Sequence, residues 1–187
     1  MVSFFLRYRI MNINMTDVFD FYELRIKCHV ASVNYFAALL GHQYPEHDSD
    51  KIKEPIRTGY AYVFYKNYHK NFHTTQQQDD LCKDAINNHH AFASHHVQHY
   101  KNVREIPDNR LYEMMADWAS ANFEQMHIIR HESAVSLGQW FDRNMSHLPW
   151  TEHQLEIIKN AFETFAKKTD MDTVKAIWQP LLSYADL

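Results

Sequence analysis

The chain is poor in the residues that bend or cross-link a backbone. Its 187 residues include only 3 glycines, 5 prolines and 2 cysteines. Few breakers mean few sharp turns, which favours long helices over a series of short strands. Cys28 and Cys82 stand alone in helix-like stretches, so a disulfide framework is excluded and a reducing, cytoplasmic setting is the expectation. No run approaches the roughly 18 consecutive apolar residues of a membrane span. The opening decapeptide has neither a basic start followed by a long apolar stretch nor a small-residue cleavage site, so it does not read as a signal peptide. A positive electrostatic footprint is also missing. With 19 basic and 23 acidic residues the formal net charge is −4, which argues against nonspecific binding to nucleic acid or membranes.

Histidine is what the chain has in excess. There are 14, crowded between His69 and His99. It is the commonest metal-ligating side chain and titrates near neutrality.

Helical periodicity organises the rest. Thr16 can cap a first long helix in which Val18, Phe19, Tyr22, Ile26, Val30, Val33 and Ala37 recur at helical spacing, with Gly41 suited to end it. Residues 41–51 form a polar loop. A second helix starts near Glu54–Pro55, and a third, capped by Thr74 or Thr75, carries the histidine cluster. Pro107-Asp108-Asn109 opens a fourth, running from Leu111 to about Phe123 with Met114, Met115 and Trp118 as core candidates. A fifth is expected over Glu132 to Arg143. Thr151-Glu152-His153-Gln154 is a capping box before Leu155, Ile158, Phe162 and Phe165, and a last helix covers Thr173 to Leu182, with Pro180 as a candidate kink. No strand-type alternation, repeat or linker appears. The expected fold is all-α, one domain of six or seven helices over residues 16–187, with residues 1–15 as an N-terminal extension.

His47–Asp48 is the pair that suggests chemistry. Adjacent imidazole and carboxylate groups suit Mn²⁺, Fe²⁺, Zn²⁺ or Mg²⁺. Alone the dipeptide carries little weight. His29 precedes it on another helix, 47 − 29 = 18 positions earlier, and Asp117 follows on a later one. Each has an ordinary reading: His29 as a satisfied polar group between helices, Asp117 as a surface carboxylate, Glu113 as a partner for Arg110. The ordered set H…HD…D is what gives them weight together.

That order resembles the ligand arrangement of the HD-domain metal-dependent phosphohydrolases, and His47-Asp48-Ser49-Asp50-Lys51 resembles their HD-x-x-K form. The whole pattern is similar to the DUF5662 family. Lys27-Cys28-His29 precedes the HD pair and Glu54 follows it. Ala85 to His89 and His95-His96-Val97-Gln98-His99-Tyr100 come next, and Glu113-Met114-Met115-Ala116-Asp117-Trp118 closes the set. Ala93 stands where the family has Asn, and Val97 where it has Trp. On an unbroken helix His89 and His96 share a face and His95 points about 120° away, whereas the family pattern selects His95. A break near Ser94 would reconcile the two.

The resemblance implies an HD-like bundle with a divalent ion held by His29, His47, Asp48 and Asp117, with His89 and His95 completing a second site or facing substrate. It further implies hydrolysis of a small phosphorylated substrate such as a nucleotide. Asp48 would orient water, Lys51 and His96 would contact the phosphate, and a neutral His or Glu54 would protonate the leaving oxygen. His90, His99, His69 and His73 are expected at the surface or as donors behind the carboxylates. A non-catalytic metal- or nucleotide-binding scaffold and an O₂-activating di-iron protein are the rival readings. Trp178, Leu181 and Leu182 either pack internally or form a homodimer face.

Overall fold

A computed structural model describes residues 15–130 and 132–182; the expected N-terminal extension lies almost wholly outside them. Among the described residues there are seven α-helices and no strand. They are α1 (Met15–Leu39), α2 (Ile56–Tyr68), α3 (Gln76–Phe92), α4 (Asp108–Phe123), α5 (Leu137–Asn144), α6 (Glu152–Lys168) and α7 (Met171–Leu182). Two short 3₁₀ turns, Val97–His99 and Val103–Glu105, lie between α3 and α4, and a π-turn, Glu124–Ile128, extends α4.

The helix ends follow from local chemistry. Gly41 takes φ +82°, so the amides of Gly41 and His42 turn back to the carbonyls of Ala38 and Ala37 and close α1. Thr75, Ser136 and Thr151 each form a capping box with the Gln three residues on. Ser136 places the start of α5 later than the expected Glu132, because its hydroxyl accepts from the Gln139 amide. The fourth helix begins at Asp108, directly after Pro107, which lacks an amide hydrogen and suits a helix start.

α1 is the central element. One side of it joins α4, α6 and α7 in the larger core, where Leu111, Met114, Met115, Val174, Trp178 and Leu181 are buried. Trp178 and Leu181 therefore pack internally. Leu155 faces outward on α6, and Ile157 with Ile158 fills the core instead. The other side of α1 joins α2 and α3 in a smaller core containing Val18, Tyr22, Tyr60 and Ala85. Gly59 lets α2 approach α3 closely. A Cβ there would stand 2.4 Å from the Ala85 Cβ and from the Leu81 carbonyl oxygen.

The two cores meet where the 42–55 loop crosses α1. Asn34 holds the loop's near end by bonding both the amide and the carbonyl of Tyr44. The Tyr22 hydroxyl donates to the Lys51 carbonyl at 2.9 Å and holds the far end. His47 and Asp48 lie between these two ties.

Candidate metal centre

Five segments contribute to a buried cluster at this junction: α1 with His29, the loop with His47 to Lys51, the end of α3 with His89, the turn after it with His95 and His96, and α4 with Glu113 and Asp117. His29, His47, Asp48, Lys51, His89, His95, Glu113 and Asp117 are all buried. A buried charge is costly unless paired or bound to an ion, so such a concentration needs compensation.

Asp48 is the hub. Its Oδ2 lies 3.3 Å from His29 Nε2, 3.6 Å from His47 Nε2 and 2.8 Å from Lys51 Nζ. Its Oδ1 faces the other way, 3.3 Å from His89 Nε2 and 3.4 Å from His95 Nε2. Asp117 Oδ1 closes the first group at 3.1 Å from His29 Nε2 and 3.6 Å from His47 Nε2. Asp48 has φ +60°, a left-handed conformation uncommon for a non-glycine residue, though Asp and Asn tolerate it best. The loop bends there and turns the carboxylate inward.

The imidazoles are oriented from behind. His29 Nδ1 lies 3.2 Å from Ser120 Oγ, His47 Nδ1 3.0 Å from Glu113 Oε1 and His89 Nδ1 2.7 Å from Asp50 Oδ2. His95 Nδ1 is 3.5 Å from the same Glu113 oxygen. Each ring thus has an outer partner at Nδ1 and turns Nε2 toward the carboxylates, the arrangement that fixes tautomer and aim in metal-binding histidines. Four side chains thereby gain a defined orientation without any of them reaching the surface.

Electrostatics separate these groups. Burial alone would raise the Asp48 carboxyl, but His47 and Lys51 hold it well below its ordinary range. Burial likewise opposes Asp117, and the His29 and His47 imidazoles facing its carboxylate hold it well below. Burial disfavours the His47 imidazolium, yet Asp48, Asp117 and Glu113 together push it up to about 10. His95 and His96 go the other way. Burial lowers His95 despite the nearby Asp48, and takes His96 down to about 2, leaving both neutral at physiological pH.

The residues fit a cation. Among the described residues, His47 Nε2, Asp48 Oδ1 and His95 Nε2 are buried with no hydrogen-bond partner, and buried polar atoms rarely stay unsatisfied unless something else engages them. Nitrogen and carboxylate-oxygen donors from His29, His47 and Asp117 lie within 4.8 Å of one another, as do those of His47, Asp48 and His95, and those of His89, His95 and His96. Mixed donors of this type suit first-row divalent ions.

The sequence left His95 and His96 as alternatives. α3 ends at Phe92 and the backbone turns at Ala93, so the seven-residue spacing of a continuous helix no longer applies and both rings reach the cluster. Their centroids are 4.4 Å apart. Ser94 does not cap a new helix; the next turn starts at Val97 behind His96. Lys51 sits inside the cluster beside Asp48, with Nζ 4.7 Å from the Tyr60 ring centre. Glu54 stands apart, exposed and bonded to the Thr58 hydroxyl, so it is no proton donor to this centre. His69 is half-buried, packing its ring 3.9 Å from that of Tyr65. His73 is exposed. His90 is half-buried against the His96 ring, and His99 bonds the Ala91 carbonyl from the exposed side.

Sequence reasoning passed over Asp50 and cast Glu113 only as a partner for Arg110. Glu113 does bond Arg110, but it also holds His47. Its position one helical turn before Asp117 was the available signal. The match to a family model spans residues 19–177 and takes in every residue of the cluster. The chain belongs to the DUF5662 family, a family of unknown function. No curated protein and no solved structure matches it significantly.

Proposed function

We propose that this DUF5662 protein is a metal-dependent phosphohydrolase related to the HD-domain enzymes, acting on a small phosphorylated substrate such as a nucleotide. The observation that carries the reading is the set of oriented imidazoles around Asp48, in which His47 Nε2, His95 Nε2 and Asp48 Oδ1 are buried without a hydrogen-bond partner among the described residues.

His29, His47, Asp48 and Asp117 would hold the primary ion, with His89 and His95 at a neighbouring position across Asp48. When bound, a divalent ion supplies Lewis acidity toward a phosphoryl oxygen and lowers the pKa of water from ~15.7 toward neutrality. The chain's own residues supply the rest. Asp48, held by its φ of +60°, accepts a hydrogen bond from water and aims it. Lys51, ion-paired with Asp48, balances the charge of the phosphate, since phosphoryl transfer depends chiefly on positioning and electrostatics. The cavity beside the centre is lined by His47, Asp48, Asp50, His95, Arg110 and Glu113, and substrate would approach through it.

The test is a phosphoester panel including nucleotides, assayed with Mn²⁺, Fe²⁺, Zn²⁺ and Mg²⁺. Turnover that disappears in Asp48→Asn and drops about 10²-fold or more in Lys51→Met supports the reading. Stoichiometric ion binding without turnover on any phosphoester would contradict it in favour of a binding scaffold, and iron-dependent O₂ consumption would redirect it to oxygen chemistry.

A further inference from the structure

The cavity that opens onto the centre has three walls: the 42–55 loop, the end of α3 and the first turns of α4. Its volume is about 460 Å³, within the range of cavities that hold a small ligand. Two of its side chains stand outside the centre. Phe92 comes from α3 and Arg110 from α4.

Phe92 is 76 % exposed, more than any other large hydrophobic residue among the described ones, and belongs to neither hydrophobic core. A single exposed ring is ordinary on a protein surface. This one ends the helix that carries the fully buried His89, three residues and about one turn earlier. It therefore stands at the cavity's mouth, placed to meet whatever enters.

Arg110 is the cavity's only Lys or Arg side chain among the described residues, where Glu46, Asp50 and Glu113 supply negative charge. It precedes Glu113 by three positions and Asp117 by seven, so the three share one face of α4. Seven residues rise about 10 Å, which puts Arg110 at the outer end of a row whose inner end is the centre. Its Nη1 donates to the buried Glu113, and the side chain is 41 % exposed. A guanidinium carries five N–H groups, so Glu113 fixes its position while most of its donors stay available to a ligand.

We infer that Phe92 and Arg110 determine which phosphorylated molecule the cavity accepts: Phe92 is a stacking platform for a nucleobase, and Arg110 is an outer clamp on the phosphate. The inference rests on the proposed reading for the phosphate at the centre, and it adds the two side chains that choose the rest of the ligand. With its phosphate held there, a nucleoside monophosphate extends its base toward the mouth, where Phe92 stands. Stacking on an aromatic side chain tolerates any base, because every base has a π-face. Discrimination is thus expected between ligands with and without a base, and not among bases.

The experiment measures binding, by calorimetry with Mn²⁺ present, of two phosphonates whose P–C bond resists hydrolysis: the analogues of adenosine 5′-monophosphate and of ribose 5-phosphate. The unaltered protein should bind the base-bearing analogue about tenfold or more tightly. Phe92→Ala should remove that preference and Phe92→Trp should restore it. Arg110→Lys keeps a cation for Glu113 but not the planar fork, and it should weaken both analogues by a similar factor, about fivefold or more. Circular dichroism and metal content report whether each variant keeps its fold and its ion. Equal affinity for the two analogues, binding of neither, a preference that survives Phe92→Ala, or unchanged binding in Arg110→Lys would overturn the inference. Base-dependent binding without turnover of any phosphoester would leave it standing while removing the hydrolase reading. Turnover that is equal for base-bearing and base-free esters and insensitive to Phe92→Ala would do the reverse.

Discussion

His47 and Glu113 lie 3.0 Å apart, Nδ1 to Oε1, in the buried interior. This single contact fixes the His47 tautomer, turns its Nε2 toward Asp48 and Asp117, and ties the loop to α4. The same Glu113 oxygen faces His95, so one carboxylate orients imidazoles on both sides of Asp48.

Glu113→Ala is expected to weaken divalent-ion affinity by about 10- to 100-fold, as is usual when an outer partner of a ligating histidine is removed. Glu113→Gln keeps an acceptor for the His47 Nδ1–H and should lose less. Equilibrium dialysis of the two variants beside the unaltered protein gives the comparison. Equal affinity in all three would show that the contact does not orient the ring.

Acidity should govern ion binding with a definite sign. Without an ion, Asp48, Asp117 and Glu113 overcome burial and keep His47 protonated up to about 10, whereas ligation requires the neutral ring. Binding near neutral pH must therefore release a proton, and apparent affinity should rise with pH. Calorimetry in buffers of different ionisation enthalpy measures that release. The raised pKa also means that the His47 charge contributes stability to the ion-free protein that is fully present below about 6.5 and is lost as pH rises through about 10. An ion-loaded sample should lack that alkaline decline. Identical alkaline melting curves with and without metal would contradict this.

The fold makes a prediction at Gly59. A Cβ there meets Ala85 and the Leu81 carbonyl at 2.4 Å, so Gly59→Ala must push α2 from α3 and disturb His89 at the end of α3. The expected loss is about 1–3 kcal/mol, with weaker metal binding alongside. A methyl group at Gly138 on α5 would meet no atom within 4 Å, so Gly138→Ala should be neutral or stabilising by up to about 1 kcal/mol. Thermal melts of both variants check the contrast.

Arg25 and Glu124 form a buried ion pair beneath the centre, with Tyr68 donating to Glu124 at 2.7 Å and the Arg25 guanidinium 3.5 Å above the Phe64 ring. Burial raises the Glu124 carboxyl, but Arg25 outweighs it and holds the group below its ordinary range. Removing one partner leaves the other charged in the interior, so Arg25→Met should cost about 3–5 kcal/mol. The double variant Arg25→Met, Glu124→Leu should recover part of that loss, as denaturant titration would show.

How much of this was legible in the sequence depended on how local each determinant is. The scarcity of breakers and the 3.6-residue periodicity were enough for an all-α fold, and the capping box at Thr151 marked α6. The same signature at Ser136-Leu137-Gly138-Gln139 was equally readable and marks the true start of α5, but the polar run upstream of it suggested an earlier one. The adjacency of His47 and Asp48, with His29 and Asp117 on flanking helices, pointed to side chains that do converge. A break near Ser94 was readable as the way to bring both His95 and His96 inward, and α3 does end there, with the turn at Ala93; the run from Asn87 to His99 holds no glycine or proline to mark it, so the choice between the two rings stayed open. The Arg25–Glu124 pair spans 99 positions and has no local signal at all. Asp50 resembled any other acid in a solvated loop until the distance to His89 gave it a partner.

The most direct test of the account is the divalent-metal content of the folded protein after chelation and reloading, measured beside His47→Ala and Asp48→Asn. Asn tolerates the left-handed backbone at position 48, so the second variant removes charge while sparing the loop. The account predicts stoichiometric, chelator-sensitive ion binding in the unaltered chain and its loss in both variants. Absence of stoichiometric binding by the unaltered protein, or equal binding by all three, would contradict it.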